Sequence, residues 1–226
     1  MTERENILGR VREALRNPAP APGAHDALHP TGATAGQPVS RWLPKVGQSY
    51  EERLALFKSN AEGLKAVFHL VKNQPEMVAC LETIRDAEGW KRVASHQGQL
   101  TDAVVTELNL PVMLTDAGYD VNLLEQSDVG ITECDALIAQ TGSVLVTSRS
   151  AGGRALSVLP PHHVVLARKE QLLADLPEAF ELLTKRYGTS YPSFISFITG
   201  PSRTGDIERI LVLGAHGPKK LTIICF

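Results

Sequence analysis

Three glycine-containing segments in the second half of the chain carry groups that can hold a small anion. Each follows a predicted strand, and ligands of α/β proteins bind beyond the carboxyl ends of strands. Backbone N–H groups exposed at a glycine turn, with hydroxyls beside them, suit an anionic oxygen. The candidate ligand-binding residues are Gln140, Thr141, Gly142, Ser143, Gly200, Ser202, Arg203 and Thr204, and the candidate catalytic residue is His216.

The first segment, 138–143, leaves a predicted strand, turns at Gly142 and enters a second strand. A positive φ at Gly142 would expose backbone N–H groups between two hydroxyl side chains. A plain hairpin with glycine as its turn former explains the same spacing. The spacing alone therefore leaves both a ligand site and a simple turn open.

The second segment, 196–208, leads from a strand through Gly-Pro into a predicted short helix near 205–211. The free N–H groups at a helix N-terminus favour anions, and Arg203 would add positive charge. Asp206 and Glu208 could instead satisfy the same helix end. An anion site and internal capping are therefore alternatives here.

The third segment places His216 between glycines in a loop before the last strand, where an imidazole can carry protons or orient a ligand. An exposed histidine without a ligand is the alternative. Residues 152–154 form a basic turn that could cover a carboxylate. His162 and His163 enter a strand and should point to opposite faces, which argues against a two-histidine metal clamp, so no metal site is predicted.

Composition and missing motifs narrow the function classes. A net charge of -2 gives no electrostatic footprint for nucleic acid. The three cysteines are widely separated and odd in number, which argues against disulfides and a metal site. The chain shows no G-x-S-x-G, H-E-x-x-H, Walker or G-x-G-x-x-G pattern. The polar N-terminus and the lack of a long apolar run predict a soluble, cytoplasmic protein without a membrane span.

The elements around these segments predict an α/β fold. An amphipathic helix is expected over 2–16, a proline-, alanine- and glycine-rich linker or arm over 17–48, and the main domain over 49–226. Strands alternate with helices from residue 50 onward, and a helix is expected over 169–186, which together indicate a mostly parallel sheet flanked by helices. The strands within 129–147 are too close for crossover helices, so an antiparallel insertion is expected there.

Four segments, in this order, resemble the LUD-domain family, and the resemblance covers roughly residues 50–226. The last two are the most specific. The four segments are Gly130-Ile131-Thr132 to Ser143, Leu159-Pro160-Pro161-His162-His163-Val164, Thr199-Gly200-Pro201-Ser202-Arg203-Thr204-Gly205-Asp206-Ile207-Glu208 and Leu213-Gly214-Ala215-His216-Gly217-Pro218.

The resemblance implies a fold similar to ribose-phosphate isomerases and CoA transferases, and a part in the oxidation of lactate to pyruvate. It also implies partner subunits that carry iron–sulfur clusters. This chain, with three dispersed cysteines, is expected to bind no cofactor itself. The family usually has an acidic residue where this chain has Gln140, and an amide can hydrogen-bond a ligand but cannot act as a general base.

Three functions therefore compete. The first is a subunit of a lactate-oxidising iron–sulfur complex with a small carboxylate or phosphate site, and whether the subunit is itself catalytic stays open. The second is a stand-alone enzyme acting on a phosphosugar or acyl-CoA, by analogy of fold. The third is a non-catalytic assembly or regulatory protein that captures a partner through the tethered N-terminal helix.

Overall fold

The computed structural model describes residues 3–14, 16, 45–207, 210–214 and 216–226. The chain divides into two units, Met1–Leu43 and Pro44–Phe226. In the first unit, helix α1 spans Glu3–Ala14, where the apolar spacing predicts a helix. Most of the expected linker, residues 17–44, lies outside the described residues, so the linker stays a prediction. Among the described helices, none is long and apolar enough to cross a membrane.

The second unit is built on twelve described strands and five helices. The helices are α2 (Tyr50–Gly63), α3 (Gln74–Glu88), α4 (Thr101–Val105), α5 (Val121–Glu125) and α6 (Leu176–Tyr187). The strands are β1 (Val67–Leu70), β2 (Val93–Ser95), β3 (Val112–Leu114), β4 (Val129–Glu133), β5 (Ala136–Ile138), β6 (Ser143–Thr147), β7 (His162–Ala167), β8 (Leu172–Leu173), β9 (Ile195–Ile198), β10 (Arg203–Ile207), β11 (Ile210–Leu213) and β12 (Lys220–Cys225).

Six strands form a parallel sheet in the order β1-β12-β7-β4-β2-β3. The central strands β7 and β12 are runs of Val, Ile and Leu whose residues are almost all buried, as expected where both faces of a parallel sheet are covered. Helices α3 and α4 pack on one face around Met77, Leu81 and Val104. Helix α2 covers the other face through Phe57 and Ala61.

A second sheet, β8-β5-β6-β9, supplies the antiparallel insertion. Its pairs β5–β6 and β6–β9 are antiparallel, and β5–β8 is parallel. The expected fold class, a mostly parallel sheet flanked by helices with antiparallel strands inserted, is therefore confirmed. Because β5 begins three residues after β4 ends, the chain has no room for a crossover helix and moves directly into the new sheet.

Helix α6 closes the outer face of the second sheet and is held there by a buried carboxylate. Asp135 is 1% exposed and accepts hydrogen bonds from the Tyr187 hydroxyl at 2.6 Å and from the Arg186 guanidinium. Leu183 and Ala179 pack against Ile138 and Leu145 in the same layer. This side of the insertion is therefore filled by structure, and its inner side borders an open space.

One predicted helix is wrong, and another begins later than predicted. The helix near 205–211 does not form, because β10 and β11 pair antiparallel there, and the run Ile210-Leu211-Val212-Leu213 has the apolar, β-branched composition of a strand. The helix over 169–186 begins only at Leu176. Residues 169–173 form a 3-10 turn and β8, and Asp175 then caps α6 with Pro177 in its first turn.

Candidate functional site

A cavity of about 280 Å³ lies between the two sheets, and we call it the inter-sheet cavity. The parallel sheet contributes His163 and Leu221 to its wall, and strand β9 with the residue before it contributes Phe194, Ser196 and Ile198. The rest of the wall comes from three loops. Their residues are Ser157, Val158, Thr199, Gly200, Pro201, Ser202, His216, Gly217 and Pro218.

The second and third glycine segments meet at this cavity. The backbone N–H of Ser202 donates to the carbonyl of Pro218 at 2.9 Å, and the N–H of Gly214 donates to the carbonyl of Ser202 at 2.9 Å. A side chain at Gly217 would come within 3.2 Å of the Ser202 side chain, so glycine allows the two loops to touch. These contacts bring Gly200, Ser202 and His216 to one wall, where His216 is exposed.

The first glycine segment reaches the cavity only through its last residue. The Ser143 hydroxyl is 2.7 Å from the hydroxyl of Thr199, which lines the cavity. Gln140, Thr141 and Gly142 lie outside the cavity wall. The Asn60 side-chain amide donates to the carbonyls of Ala139 and Gln140 at 2.9 and 3.0 Å, which ties the turn to helix α2.

Gly142 has a φ of 66° and lies directly against the backbone of helix α2. A Cβ atom there would lie 2.6 Å from the backbone nitrogen of Ala61 in helix α2. Both the left-handed backbone and the close approach require glycine. The hairpin alternative therefore explains Gly142, and the ligand roles of Gln140, Thr141 and Gly142 stay predictions with no contact to the cavity.

Arg203 also lies apart from the cavity wall. Its guanidinium Nη2 donates to the Leu64 carbonyl at 2.9 Å, at the end of helix α2. Because β10 replaces the predicted helix, the helix N-terminus that was expected to hold an anion beside Arg203 and Thr204 does not exist. The side chain of Thr204 lies outside the described part of the structure.

His163 is the buried polar group of the cavity that the analysis of the sequence did not select. Its Nε2 atom is 2.9 Å from the Thr132 hydroxyl, and the residue is 1% exposed. Burial, with a smaller contribution from neighbouring His162, lowers the pKa of His163 to about 3. The imidazole is therefore neutral near pH 7 and can orient a ligand by hydrogen bonding. Strand alternation was the signal that could have identified it, because it sends His163 toward the insertion.

Arg154 supplies a cation beside the cavity. Its guanidinium carbon lies 5.9 Å from the centroid of the Phe194 ring, which forms part of the wall. This distance is within the range of a cation–π contact. The basic turn at residues 152–154, expected to cover a carboxylate, thus lies beside the inter-sheet cavity.

The architecture defines the class of protein: a parallel α/β domain with an antiparallel sheet inserted and a mostly apolar cavity between the two. The LUD domain model matches residues 120–225. The chain is 32% identical over 187 residues to lactate utilization protein C of Shouchella clausii, covering 78% of this chain and 80% of that protein. It is 36% identical over 121 residues to lactate utilization protein C of a Geobacillus strain, which spans 51% of this chain and 50% of that one.

The chain belongs to the LUD-domain family. Lactate utilization protein C of Bacillus subtilis is another relative, at 35% identity over 107 residues, covering 46% of this chain and 45% of that protein. A solved structure of a DUF162 family protein from Deinococcus radiodurans shares the fold. It has a TM-score of 0.62 at 20% identity, covering 79% of this chain and 99% of that one. The family resemblance stated from the sequence is confirmed.

Proposed function

We propose that this chain takes part in lactate utilisation by binding a small carboxylate, lactate or pyruvate, in the inter-sheet cavity. The observation that carries the proposal is the meeting of two glycine loops and His163 around one cavity beside Arg154. The names of the relatives at 32 to 36% identity support lactate as the metabolite.

The cavity wall offers hydroxyl donors and little else that is polar. Ser196 and Ser202 can donate to carboxylate oxygens, and Thr199 can do so when its hydroxyl accepts from Ser143. The Ser157 hydroxyl already donates to the Arg154 carbonyl at 3.2 Å, and the neutral His163 adds a ring nitrogen. Hydrogen bonds to a charged group are stronger than neutral ones. The carboxylate would lie toward Arg154, and the methyl group of lactate would contact Phe194, Ile198 or Leu221.

Oxidation of lactate to pyruvate releases two electrons and two protons. With a pKa of about 3, His163 is a poor proton acceptor at pH 7. His216, exposed at the cavity wall, is the residue we propose to accept the hydroxyl proton and pass it to solvent. The C2–H bond also breaks as the C=O double bond forms: its two electrons would leave through iron–sulfur clusters of partner subunits, and its proton would pass to solvent water.

The cysteines of this chain support the assignment of those clusters to partners. Cys134 and Cys225 are buried, and desolvation raises the pKa of Cys225 to about 11 and that of Cys134 well above its usual value. Cys80 lies on α3, and burial raises its pKa as well. Cluster ligands are thiolates. Thiols that stay protonated at neutral pH suit packing better than cluster binding.

Calorimetric titration of the purified chain with L-lactate and with pyruvate tests the cavity. We expect Arg154→Ala to weaken binding about tenfold, the effect of one hydrogen bond or close contact to a charged group. Arg149→Ala is the matched control, because Arg149 stacks on Tyr187 at 5.3 Å outside the cavity wall. Equal affinity in the wild type and Arg154→Ala would show that the carboxylate does not bind in this cavity.

Affinity isolation of the full chain from its native cell tests the partners. The expected result is co-purification of subunits whose visible spectrum shows iron–sulfur absorption that bleaches on reduction with L-lactate. If the chain is isolated alone and still binds lactate, the proposal of partner subunits is contradicted, and the proposal of a carboxylate site in the cavity is not affected.

A further inference from the structure

A second cavity, of about 340 Å³, lies on the opposite face of the parallel sheet, and we call it the lysine cleft. It lies between the start of strands β1, β7 and β12 and the second half of helix α3. Its floor is apolar, with Val67, Ile84 and Ala87. Its polar groups include Lys65, Lys219, Lys220, Glu88, His162 and Thr222.

The charges around the lysine cleft are unbalanced toward positive. Lys220 pairs with Glu88. Among the described residues, neither Lys65 nor Lys219 forms an ion pair, and both side chains are exposed. When the histidines are neutral, the described residues of the cleft wall carry three positive charges and one negative charge, a net charge of +2. Two ammonium groups at one cleft match a dianion better than a monocarboxylate.

His162 adds a hydrogen-bonding group with one side unused. Its Nε2 atom is 2.9 Å from the Thr222 hydroxyl, and the residue is 5% exposed. Its Nδ1 atom is buried without a hydrogen-bond partner among the described residues. When Nε2 accepts from Thr222, Nδ1 carries the proton, and a buried donor needs an acceptor. Burial lowers the pKa of His162 to about 4, so the ring is neutral near pH 7.

Lys65 occupies a backbone position where glycine is the usual residue. Helix α2 ends in a Schellman motif: the N–H of Ala66 donates to the Ala61 carbonyl at 3.0 Å, and the N–H of Lys65 donates to the Glu62 carbonyl at 2.9 Å. Lys65 has a φ of 72°, which is unfavourable for any residue with a Cβ atom. Lys65 therefore combines a strained backbone position with a place at a cleft that holds two other lysines.

We propose that the lysine cleft binds the phosphate group of a small phosphate monoester. Lys65 and Lys219 hold the phosphate oxygens, and His162 donates to one of them. The apolar floor takes the organic part of the ligand. This site is separate from the carboxylate site, since His162 faces the lysine cleft and His163 faces the inter-sheet cavity.

Titration with phenyl phosphate tests the site, with phenol and benzoate as comparison ligands. We expect phenyl phosphate to bind more tightly than either. Lys65→Gly should raise its Kd about tenfold, the loss of one charge-assisted hydrogen bond, and Lys219→Ala should act in the same direction. The thermal midpoint of Lys65→Gly should equal or exceed that of the wild type, because glycine relieves the left-handed backbone. Lys185→Ala, on the exposed surface of α6, should leave the Kd unchanged.

The histidine ring nitrogens give a second measurement. Phenyl phosphate should move the ¹⁵N resonances of His162 and leave those of His163 in place. The proposal is overturned if phenyl phosphate does not bind, if benzoate moves the ¹⁵N resonances of His162 as strongly as phenyl phosphate does, or if Lys65→Gly and Lys219→Ala both keep the wild-type Kd for phenyl phosphate. None of these results depends on lactate, so failure of one site is distinguishable from failure of the other.

Discussion

His162 and His163 are neighbours in the chain, yet each faces a different cavity. Successive side chains of a strand point to opposite faces, and β7 begins with this pair. One imidazole contacts Thr222 on the α3 side of the sheet, and the other contacts Thr132 on the side of the insertion. The opposite orientation follows from the sequence alone. The cavities do not, because their walls come from distant segments.

The two buried histidines should make folding stability dependent on pH. Their pKa values in the folded chain, about 4 for His162 and about 3 for His163, lie below the usual 6.5. The unfolded chain therefore binds more protons below pH 6.5. Stability is fully present above that pH and is lost as the pH falls toward 3. Between pH 6.5 and 5 we expect a loss on the order of 1–2 kcal/mol for each histidine.

Urea unfolding of the wild type and His163→Gln across pH 5 to 8 measures this effect. Glutamine cannot take up a proton and can still contact Thr132, so the variant should show a shallower fall in the free energy of unfolding below pH 6.5. Parallel curves for the two proteins would show that His163 takes up a proton as readily when folded as when unfolded.

At the scale of elements, the turn between β5 and β6 packs against helix α2 and connects the insertion to it by hydrogen bonds from Asn60. Ser143, at the start of β6, also contacts Thr199 at the end of β9, so the turn indirectly supports one cavity wall. Gly142 has this packing role, and its anion contacts stay a prediction. No local pattern could have revealed it, because Asn60 and Ala61 are about eighty residues away in the chain.

Replacing Gly142 with alanine should destabilise the protein strongly. The left-handed backbone costs about 1 kcal/mol, and the overlap with the α2 backbone adds about 1–3 kcal/mol. Gly89 is the matched control: its φ of 68° is nearly the same, but a Cβ atom there meets nothing within 4 Å. Chemical denaturation should give Gly89→Ala only the backbone cost. Equal losses in the two variants would contradict the packing role of Gly142.

The periodicity of apolar residues predicted a helix or strand correctly where the local composition and the neighbouring elements favoured the same structure. The strand at Val112–Leu114 and the helix starting at Tyr50 follow the pattern, and Ser49 and Glu52 form the capping box that starts this helix. The pattern failed at residues 169–175, where a helix-compatible composition precedes the Asp175 cap. It also failed at 205–211, where hairpin pairing decides the structure. The cavity residues Ser157, Ser196 and Phe194 were not predicted, because only the packing of two sheets brings them together.

At the scale of the whole molecule, the division at Leu43 separates a short helical unit from the α/β domain. Helix α1 has Ile7 and Leu8 exposed, at 57% and 39%. A helix of 12 residues is marginal alone in water, so burial of these side chains on a partner would stabilise it. This arrangement suits the assembly role considered from the sequence.

Deletion of residues 1–43 should therefore separate folding from assembly. We expect the remaining domain to keep its thermal midpoint and its lactate affinity and to lose co-purification with partner subunits. A matched variant, with Ile7 and Leu8 both replaced by serine in the full chain, should also lose the partners. Retained co-purification in both variants would rule out α1 as the contact.

Strand β12 is the last strand along the chain, and it lies between β1 and β7 inside the parallel sheet. A ribosome must therefore have synthesised residues 220–225 before β1, near residue 67, can pair with anything in that sheet. Until then β1 and β7 expose open backbone edges, of the kind that promotes aggregation. Late pairing of β1, only after this segment emerges from the ribosome, is the kinetic consequence of that strand order.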